Sequence, residues 1–250
     1  MSNIPSIQYP LLSIVTITYN AKATLEATIL SVINQTYPNI EYIIIDGGST
    51  DGTVDIIKKY QSHIAYWISE PDKGIYNAMN KGIDLAHGIW INFMNAGDSF
   101  YDQNTLSNIR FPQINNKNLK VIFGDNIGKK FGTTYYKKAQ PLKNIHRRII
   151  ACHQSIFVSG INKEDIKFNE TYKLASDYNT VYSLYEKYGK KAFLYIPQPI
   201  AIYDAEFGIS SKHILQSLKE QLTIRKKHKN IIWYYDFCKY IIKLWIQKMK

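Results

Sequence analysis

The first hundred residues alternate between two hydrophobic patterns, each typical of one kind of secondary structure. Runs of consecutive apolar and β-branched residues predict buried strands, and these runs lie at residues 12–19, 40–46, 63–69 and 89–95. The segments between them repeat apolar residues at helical spacing, and they lie at residues 22–36, 50–60 and 74–87. This order predicts an α/β fold in which a mostly parallel central sheet carries helices on both faces.

The second half of the chain follows a less regular pattern. Its predicted elements are a strand at residues 119–125, a hairpin at 126–138, a helix at 176–189 and an extended segment at 191–203. From residue 212 onward the chain is helical, basic and rich in aromatic residues. We therefore predict one large α/β unit followed by amphipathic helices.

Polar side chains collect at the carboxyl ends of the four predicted N-terminal strands. They are Thr18, Tyr19, Asn20, Asp46, Glu70, Asp72, Asn95 and Asp98. Ligands of open α/β sheets bind outside the carboxyl ends of the strands, so these residues predict the position of a site. The chain lacks the GxGxxG and GxxxxGK patterns, which argues against a dinucleotide site and against a P-loop.

Four motifs in this part of the chain resemble one known family. LSIVTITYN, QTYPNIEYIIIDGGSTDGT, SEPDKGIYNAMNKG and NAGD are similar to the family 2 glycosyltransferases of bacterial polysaccharide assembly, with a dense match over residues 11–102. The similarity continues more thinly through CHQSIFV (152–158) and ASDYNTVY (175–182). The resemblance implies a GT-A fold, which is Rossmann-like and binds a nucleotide sugar, and an inverting transfer of the sugar to a hydroxyl group.

The resemblance places a divalent metal ion at the last of the four motifs. In the family, the acidic triplet after the fourth strand supplies a metal ligand, and Asp98 stands at that position. A diphosphate leaving group is highly charged, and Mn²⁺ or Mg²⁺ bound by carboxylate oxygens stabilises it. Gly97 stands where many relatives have a second Asp. This departure leaves one strong metal ligand and leaves the contact with the donor ribose unassigned. The alternative for Asp98 is an ordinary turn residue.

The resemblance also implies that the residues at the strand ends bind the nucleotide-sugar donor. In the family, the position of Asp46 accepts a hydrogen bond from the nucleotide base. Tyr19 is expected to stack on the base or ribose, with a core position as the alternative. Lys73 is expected to reach a base carbonyl or a phosphate, with a solvated lysine as the alternative. The predicted donor-binding residues are Thr18, Tyr19, Asp46, Lys73, Asn95 and Asp98.

Two later motifs predict the acceptor side of the site. Inversion by one in-line displacement needs a base for the acceptor hydroxyl, and the resemblance places Asp177, at the start of a helix, in that catalytic role. The alternative is a helix-terminal carboxylate that only interacts with the helix dipole. His153 and Gln154 match a family motif on the acceptor side, and residues 207–211 resemble a loop that folds over the donor.

Charge is divided unevenly along the chain, whose formal net charge is +11. Residues 1–100 carry 5 Lys+Arg and 9 Asp+Glu, whereas residues 101–250 carry 26 and 11. A basic surface attracts phosphate, whether in nucleic acid or in lipid headgroups. The chain lacks helix-turn-helix, zinc-finger and RNP-like signatures, so we predict no nucleic-acid partner.

The basic C-terminal segment predicts an anionic membrane surface as a partner. Its polar residues form one narrow helical stripe beside a wide apolar face, and they are Asp236, Lys239, Lys243, Gln247 and Lys250. Such a helix is typical of the membrane interface, and packing on the catalytic domain or on a second subunit is the alternative. Runs of about 18 uncharged apolar residues do not occur, so we predict no transmembrane helix.

These expectations combine into one hypothesis with two alternatives. A GT-A catalytic domain at residues 1–211, divided into a nucleotide-binding half (11–102) and an acceptor half (103–211), precedes a membrane-associating tail at 212–250. It would transfer a sugar from UDP-hexose or UDP-N-acetylhexosamine to a polyprenyl-diphosphate-linked saccharide of O-antigen or capsule, at the cytoplasmic face of the bacterial inner membrane. The alternatives are a nucleotidyltransferase, which would need a Gly-rich basic loop after the first strand, and a nucleotide-sugar binder without catalysis.

Overall fold

The computed structural model describes residues 9–112, 118–204, 213–227 and 231–248. The strands in this part of the chain are β1 (Leu12–Thr18), β2 (Ile40–Asp46), β3 (Tyr66–Ser69), β4 (Trp90–Phe93), β5 (Ser99–Phe100), β6 (Val121–Lys130), β7 (Thr133–Lys137), β8 (Ile156–Ser159) and β9 (Phe193–Asp204). The α-helices are α1 (Leu25–Ile33), α2 (Thr53–Lys59), α3 (Ile75–Leu85), α4 (Ser176–Tyr188), α5 (Ile214–Ile224) and α6 (Ile231–Lys248). The predicted donor loop at residues 207–211 lies outside the described residues.

The described strands form one sheet in the order β3-β2-β1-β4-β8-β6-β9-β5, and β7 pairs with β6. Strands β1 to β4 are parallel where they pair, as are β6 and β9, while β8 runs antiparallel to both β4 and β6. β8 lies between β4 and β6 and runs opposite to both, so β4 and β6 run in the same direction. The carboxyl ends of β1, β2, β4, β6 and β9 therefore meet at one edge of the sheet. Polar residues at this edge are in the position where α/β sheets bind ligands.

Helices cover both faces of the sheet, as predicted. Leu25 and Ile29 of α1 are completely buried against one face, and Met79, Ile83 and Val181 of α3 and α4 are buried against the other. Burial of one such aliphatic side chain contributes about 1.5–3 kcal/mol. The two apolar layers therefore hold the strand ends, and the side chains that follow them, in fixed positions.

The apolar runs predict the buried strands well and the exposed boundaries less well. β2 begins and ends at the predicted residues, whereas the third predicted strand, 63–69, is confirmed only over Tyr66–Ser69 because Gln61–His63 forms a 3₁₀ turn. The predicted hairpin is confirmed as β6 and β7. Strand β8 was not predicted, because a run of four apolar or small residues gives no periodicity that distinguishes strand from loop.

The C-terminal helices dock on the α/β unit through a buried ion pair. Arg225 is 3% exposed, and its guanidinium donates to the carbonyl oxygen of His146 at 2.9 Å and to Asp236 of α6 at 3.1 Å. Arg147 lies 3.6 Å from the other carboxylate oxygen of Asp236. Asp236, a member of the predicted polar stripe, therefore faces the protein.

The remainder of α6 leaves large apolar side chains in contact with solvent. These exposed residues are Tyr234, Tyr235, Phe237, Ile241, Ile242 and Trp245. Lys239 and Lys243 are exposed on the same helix. Within the described ranges, no helix combines the length and the apolar character that crossing a membrane requires.

Replacing Asp236 by Asn is expected to lower the free energy of unfolding by about 3 kcal/mol, because Arg225 would remain charged and buried without its carboxylate partner. Urea unfolding near neutral pH measures the change. The control is Asp84→Asn, which removes an exposed carboxylate that pairs with Lys167 and should cost less than about 1 kcal/mol. Equal losses in the two variants would contradict the docking role of Asp236.

Candidate active site

Asp98 lies in a tight turn between β4 and β5. The hydroxyl of Thr28 accepts a hydrogen bond from the N–H of Gly97 at 3.0 Å and donates to the Asp98 carbonyl at 2.7 Å, which fixes the turn. The Asp98 carboxylate accepts hydrogen bonds from the side-chain amide of Gln154 and from the N–H of Asp204 at 3.2 Å. Burial is the main cause that raises the pKa of Asp98, and the hydrogen bond from Gln154 opposes it.

The backbone of this turn explains why one acidic residue is missing from the motif. Gly97 has a φ of 100°, a conformation that residues with a side chain rarely adopt. A second Asp at this position would be strained in the turn as it stands. Asp98 is therefore the carboxylate that the turn can present to a ligand.

His153 stands between Asn95, which follows β4, and the start of α4. Its Nε2 lies 2.8 Å from the side-chain amide nitrogen of Asn95, and its Nδ1 lies 3.9 Å from a carboxylate oxygen of Asp177. With the amide as donor, Nε2 is the acceptor, so the ring proton is on Nδ1 and faces Asp177. The neighbouring residues His153 and Gln154 therefore link the two carboxylates, Asp177 and Asp98.

Buried hydrogen bonds hold these two residues in place. The 3₁₀ turn His153–Ser155 lies directly before β8. The side-chain amide of Asn92, on β4, donates to the carbonyl of Gln154 at 2.9 Å, and the hydroxyl of Ser155 donates to the carbonyl of Asp125, on β6, at 3.0 Å. The turn is therefore fixed to the strands on both of its sides.

Asp177 is the second residue of α4, on the predicted acceptor side of this cluster. Its carboxylate accepts a hydrogen bond from the N–H of Tyr178 at 2.7 Å, and the hydroxyl of Tyr76 lies 3.4 Å away. Burial is the main cause that raises the pKa of Asp177, and the electrostatic influence of the nearby His153 ring opposes it. The side chain keeps 22% of its surface exposed, which leaves it accessible to an acceptor hydroxyl. A raised pKa strengthens a carboxylate as a general base.

Asp46 ends β2 but faces its own loop. Its side chain is 0% exposed, and its oxygens accept hydrogen bonds from the N–H groups of Gly48 and Ser49, at 3.1 and 2.8 Å, and from the hydroxyls of Ser49 and Ser69. This geometry does not support the predicted contact between Asp46 and a nucleotide base, because the carboxylate is buried and already satisfied. Asp46 instead shapes the loop that follows β2.

Tyr19 and Asp72 form the accessible part of the predicted donor side. Tyr19 is 64% exposed. A side chain at Gly47 would meet Asp72 Oδ2 at 2.7 Å and the Tyr19 ring at 3.3 Å, so the glycine lets the two residues approach. The other oxygen of Asp72 accepts from the N–H of Gly74 at 2.7 Å. Asp72, which the sequence places at the sheet edge without a specific role, therefore offers the accessible acceptor that Asp46 does not.

Two other predicted donor residues carry buried polar atoms. The hydroxyl of Thr18 and the side-chain oxygen of Asn95 are buried and have no hydrogen-bond partner among the described residues. Such atoms are rare in folded proteins and are suited to contacts that a ligand supplies. Lys73 is exposed, its N–H donates to Asn77, and its charge acts on Glu170. The structure therefore brings Thr18 and Asn95 to the site, while the role of Lys73 in binding the donor stays a prediction.

The residues at the turn fit a metal ion that is shared with a diphosphate. The described residues contain no group of three His, Cys, Asp or Glu residues that could hold a metal by themselves. The Asp204 carboxylate is near enough to act on Asp98 electrostatically. Mg²⁺ is usually held by one or two carboxylates together with substrate phosphates, and Asp98 meets that requirement.

Tyr76 and Asp204 are further site residues that the sequence analysis missed. Tyr76 lies in the apolar repeat of α3, where an aromatic residue predicts core packing. Asp204 ends a strand 106 residues after Asp98, and only the pairing of β5 with β9 brings the two together. No local sequence signal marks either contact.

The sheet edge, the turn at Asp98 and the CHQS segment all lie within one continuous family match. Residues 13–162, more than half of the chain, match the family model described as Glycosyl transferase family 2. The chain belongs to glycosyl transferase family 2. The match confirms the predicted family and assigns the glycosyltransferase class, and it ends before Asp177.

Curated relatives of this glycosyltransferase include a PGL/p-HBAD biosynthesis glycosyltransferase of Mycobacterium bovis (strain BCG / Pasteur 1173P2). It is 31% identical over 174 residues, which cover 68% of this chain and 68% of that protein. TuaG of Bacillus subtilis (strain 168) is 38% identical over 96 residues. These residues cover 36% of this chain and 37% of that protein. Its name assigns it provisionally to teichuronic acid biosynthesis.

Solved structures confirm the predicted GT-A fold of the family 2 chain. S. aureus TarS 1-349 in complex with UDP has a TM-score of 0.64 at 17% identity, covering 86% of this chain and 65% of that one. Mannosyltransferase PcManGT from Pyrobaculum calidifontis, in complex with GDP-Man and Mn²⁺, has a TM-score of 0.64 at 15% identity, covering 88% and 64%. The chain thus spans somewhat less than two-thirds of the length of these structures.

Proposed function

We propose that this glycosyltransferase moves a sugar, with inversion, from UDP-hexose or UDP-N-acetylhexosamine to a hydroxyl of a polyprenyl-diphosphate-linked saccharide. The observation that carries the proposal is the link made by adjacent residues: Gln154 contacts Asp98, and His153 faces Asp177. One short turn thereby positions a carboxylate for the leaving group and a carboxylate for the acceptor. A single in-line displacement needs both groups held at a fixed separation.

In the proposed reaction, Asp177 takes the proton of the acceptor hydroxyl while the hydroxyl oxygen attacks the anomeric carbon. The bond from that carbon to the diphosphate oxygen breaks, and the nucleoside diphosphate leaves with the electron pair. His153 directs its Nδ1–H toward Asp177 and so orients the carboxylate, while Asn95 fixes the ring of His153. Burial of Asp177 keeps its pKa above the ordinary aspartate value and suits it to this role.

Asp98 would hold Mn²⁺ or Mg²⁺ jointly with the donor diphosphate, and the bound cation would neutralise charge on the leaving group. The complex of PcManGT with GDP-Man and Mn²⁺ supports this assignment. Tyr19 supplies an exposed ring for the base, Asp72 supplies a carboxylate oxygen beside it, and Thr18 supplies a buried hydroxyl. Lys73 stays a predicted phosphate or base contact.

The proposal places the catalytic domain at residues 1–211 and a membrane-associating tail at residues 212–250. Exposed aromatic and aliphatic residues on α6, beside Lys239 and Lys243, support attachment to an anionic bilayer. Each basic residue near such a surface contributes about 1 kcal/mol. The protein would act as a peripheral enzyme of O-antigen or capsule synthesis at the cytoplasmic face of the inner membrane, and the name of TuaG supports a cell-surface polysaccharide.

A donor panel tests the proposed reaction against both alternatives. With membrane extract present, one UDP-sugar is expected to give UDP release that EDTA abolishes and Mn²⁺ restores. Extract stripped of lipid-linked saccharides is the control and should leave only slow hydrolysis. Pyrophosphate release from a nucleoside triphosphate would instead indicate a nucleotidyltransferase. Donor binding without turnover under any metal would indicate a nucleotide-sugar binder.

A further inference from the structure

The β6–β7 hairpin carries an aromatic and basic surface next to the candidate active site. Gly128 on β6 lies opposite Tyr135 on β7 and opposite Tyr203 on β9. Residues in register on neighbouring strands present their side chains on the same face of a sheet. The two tyrosines therefore flank a position that has no side chain. We call Gly128, Tyr135, Lys137 and Tyr203 the hairpin surface.

The ring of Tyr135 occupies the space above Gly128. A Cβ atom at Gly128 would lie 2.3 Å from the Tyr135 ring, so the ring rests on bare backbone. The hydroxyl of Tyr135 is 3.3 Å from the hydroxyl of Tyr203, and Lys137 Nζ lies 5.6 Å from the centre of the Tyr203 ring. Tyr135 is still 42% exposed, so the ring offers an accessible face.

The hairpin surface is joined to the reacting groups through two short connections. Tyr203 is followed by Asp204, whose N–H donates to the Asp98 carboxylate at 3.2 Å. Ser155 donates to the carbonyl of Asp125, on β6 just before the hairpin, at 3.0 Å, and it closes the turn that contains His153, which faces Asp177. The surface therefore lies beside the cluster that contains both carboxylates.

The chemistry of the surface matches a sugar that carries phosphate. The C–H faces of a sugar ring are weakly positive and stack on the negative face of an aromatic ring. Exposed lysines on the same face of the hairpin supply the matching positive charge, and they are Lys130 and Lys137. The Asp125 carboxylate at the base of the hairpin is 1% exposed and accepts hydrogen bonds from Tyr136, Ala139 and Tyr195. It therefore does not offset the lysines at the surface.

We infer that the hairpin surface binds the acceptor, with a sugar ring on Tyr135 and Tyr203 and its phosphate on Lys137. The inference rests on the proposed glycosyl transfer. The donor residues follow β1, β3 and β4, whereas the hairpin extends from β6, on the other side of β8 in the sheet. The hairpin surface is therefore separate from the donor residues, and it adjoins Asp98 through Asp204.

Replacing Tyr135 by Ala is expected to raise the amount of lipid-linked saccharide needed for half-maximal transfer by about tenfold, the loss typical of removing one aromatic anchor. The assay uses the full-length protein, the UDP-sugar selected by the donor panel, and graded additions of membrane extract. Donor KM and donor hydrolysis without extract should not change. The matched control is Tyr66→Ala, because Tyr66 is also 42% exposed but lies on β3, at the opposite end of the sheet.

Two further variants separate stacking from folding. Gly128→Ala places a methyl group where the Tyr135 ring lies and should reproduce the effect of Tyr135→Ala without removing the tyrosine. Tyr135→Phe keeps the ring and should keep half-maximal extract within about twofold of the parent, because stacking contributes more than the hydroxyl. Lys137→Gln should raise the requirement for extract and weaken its dependence on salt.

The outcomes distinguish this inference from the function on which it rests. Wild-type protein that turns over no donor would refute the proposed function and the acceptor surface together. The wild-type protein could turn over donor normally while Tyr135→Ala and Gly128→Ala need the same amount of extract for half-maximal transfer as the wild type. That result would refute only the acceptor surface. A raised donor KM in these variants would assign the surface to the donor and would also overturn the inference.

Discussion

Asp177→Asn is expected to reduce sugar transfer by about a thousandfold, which lies within the range that general base catalysis contributes. Asn has nearly the same shape as Asp but cannot accept the proton of the acceptor hydroxyl. The N–H of Tyr178 and the hydroxyl of Tyr76 would still find a carbonyl oxygen to bond. Initial rates at saturating donor and saturating membrane extract measure the loss, and donor KM should stay within about threefold.

The pH dependence of the parent enzyme follows from the same carboxyl group. Burial raises the pKa of Asp177, so the ionised form that acts as a base is present above the raised pKa and is lost as pH falls through it. The acid limb of kcat should therefore lie above the ordinary aspartate value of about 3.9. Asp177→Asn should lack this limb in its residual activity.

Stability measurements separate catalysis from misfolding in this variant. A group whose pKa is higher in the folded state than in the unfolded state favours folding when protonated and opposes folding when ionised. Near neutral pH, Asp177→Asn removes that unfavourable ionisation, so the variant should be at least as stable as the parent. The control variant Asp84→Asn should keep full transfer. Near-normal transfer by Asp177→Asn would exclude Asp177 as the base.

The sequence predicts those parts of the fold that depend on local burial. β1, β2 and β4 are buried on both faces, so their apolar runs are continuous and readily recognised. The turn at Asp98 and the helix beginning at Ser176 also carry local signals, a Gly-Asp pair and a polar residue before an apolar repeat. The roles of Asp98 and Asp177, however, are implied by the resemblance to family 2 glycosyltransferases and not by these signals.

The remaining parts of the site depend on contacts that no local pattern encodes. Asp46 follows a strand at the edge where ligands of such sheets bind. Two glycines and Ser49 nevertheless fold the loop back, so that N–H groups of the loop itself donate to the Asp46 carboxylate. The proximity of His153 to Asp177 spans 24 positions and arises only because β8 inserts between β4 and β6. Asp236 illustrates the same limit, because its partner Arg225 lies on another element.

Asp98→Asn is expected to reduce transfer by about a thousandfold, or about 4 kcal/mol of transition-state stabilisation, because the leaving group would lose its cation. The side-chain oxygen of the substituted asparagine could accept only one of the two hydrogen bonds from Gln154 and from the N–H of Asp204, because these reach different oxygens of Asp98. The turn should persist, since the Thr28 hydroxyl still bonds its backbone. The variant Asp55→Asn, which removes an exposed carboxylate on α2, is the control and should retain full activity.

A measurement of metal binding separates the roles of Asp98 and Asp177. Titration of Mn²⁺ in the presence of UDP, followed by water-proton relaxation, should show an affinity at least about tenfold weaker for Asp98→Asn, because a neutral amide replaces the charged oxygen ligand. Asp177→Asn should bind Mn²⁺ as the parent does, since its carboxylate faces the acceptor. Unchanged Mn²⁺ affinity in Asp98→Asn would show that the cation is held elsewhere. Weakened affinity in both variants would show that the two carboxylates share one cation, which would leave the reaction without an independent base.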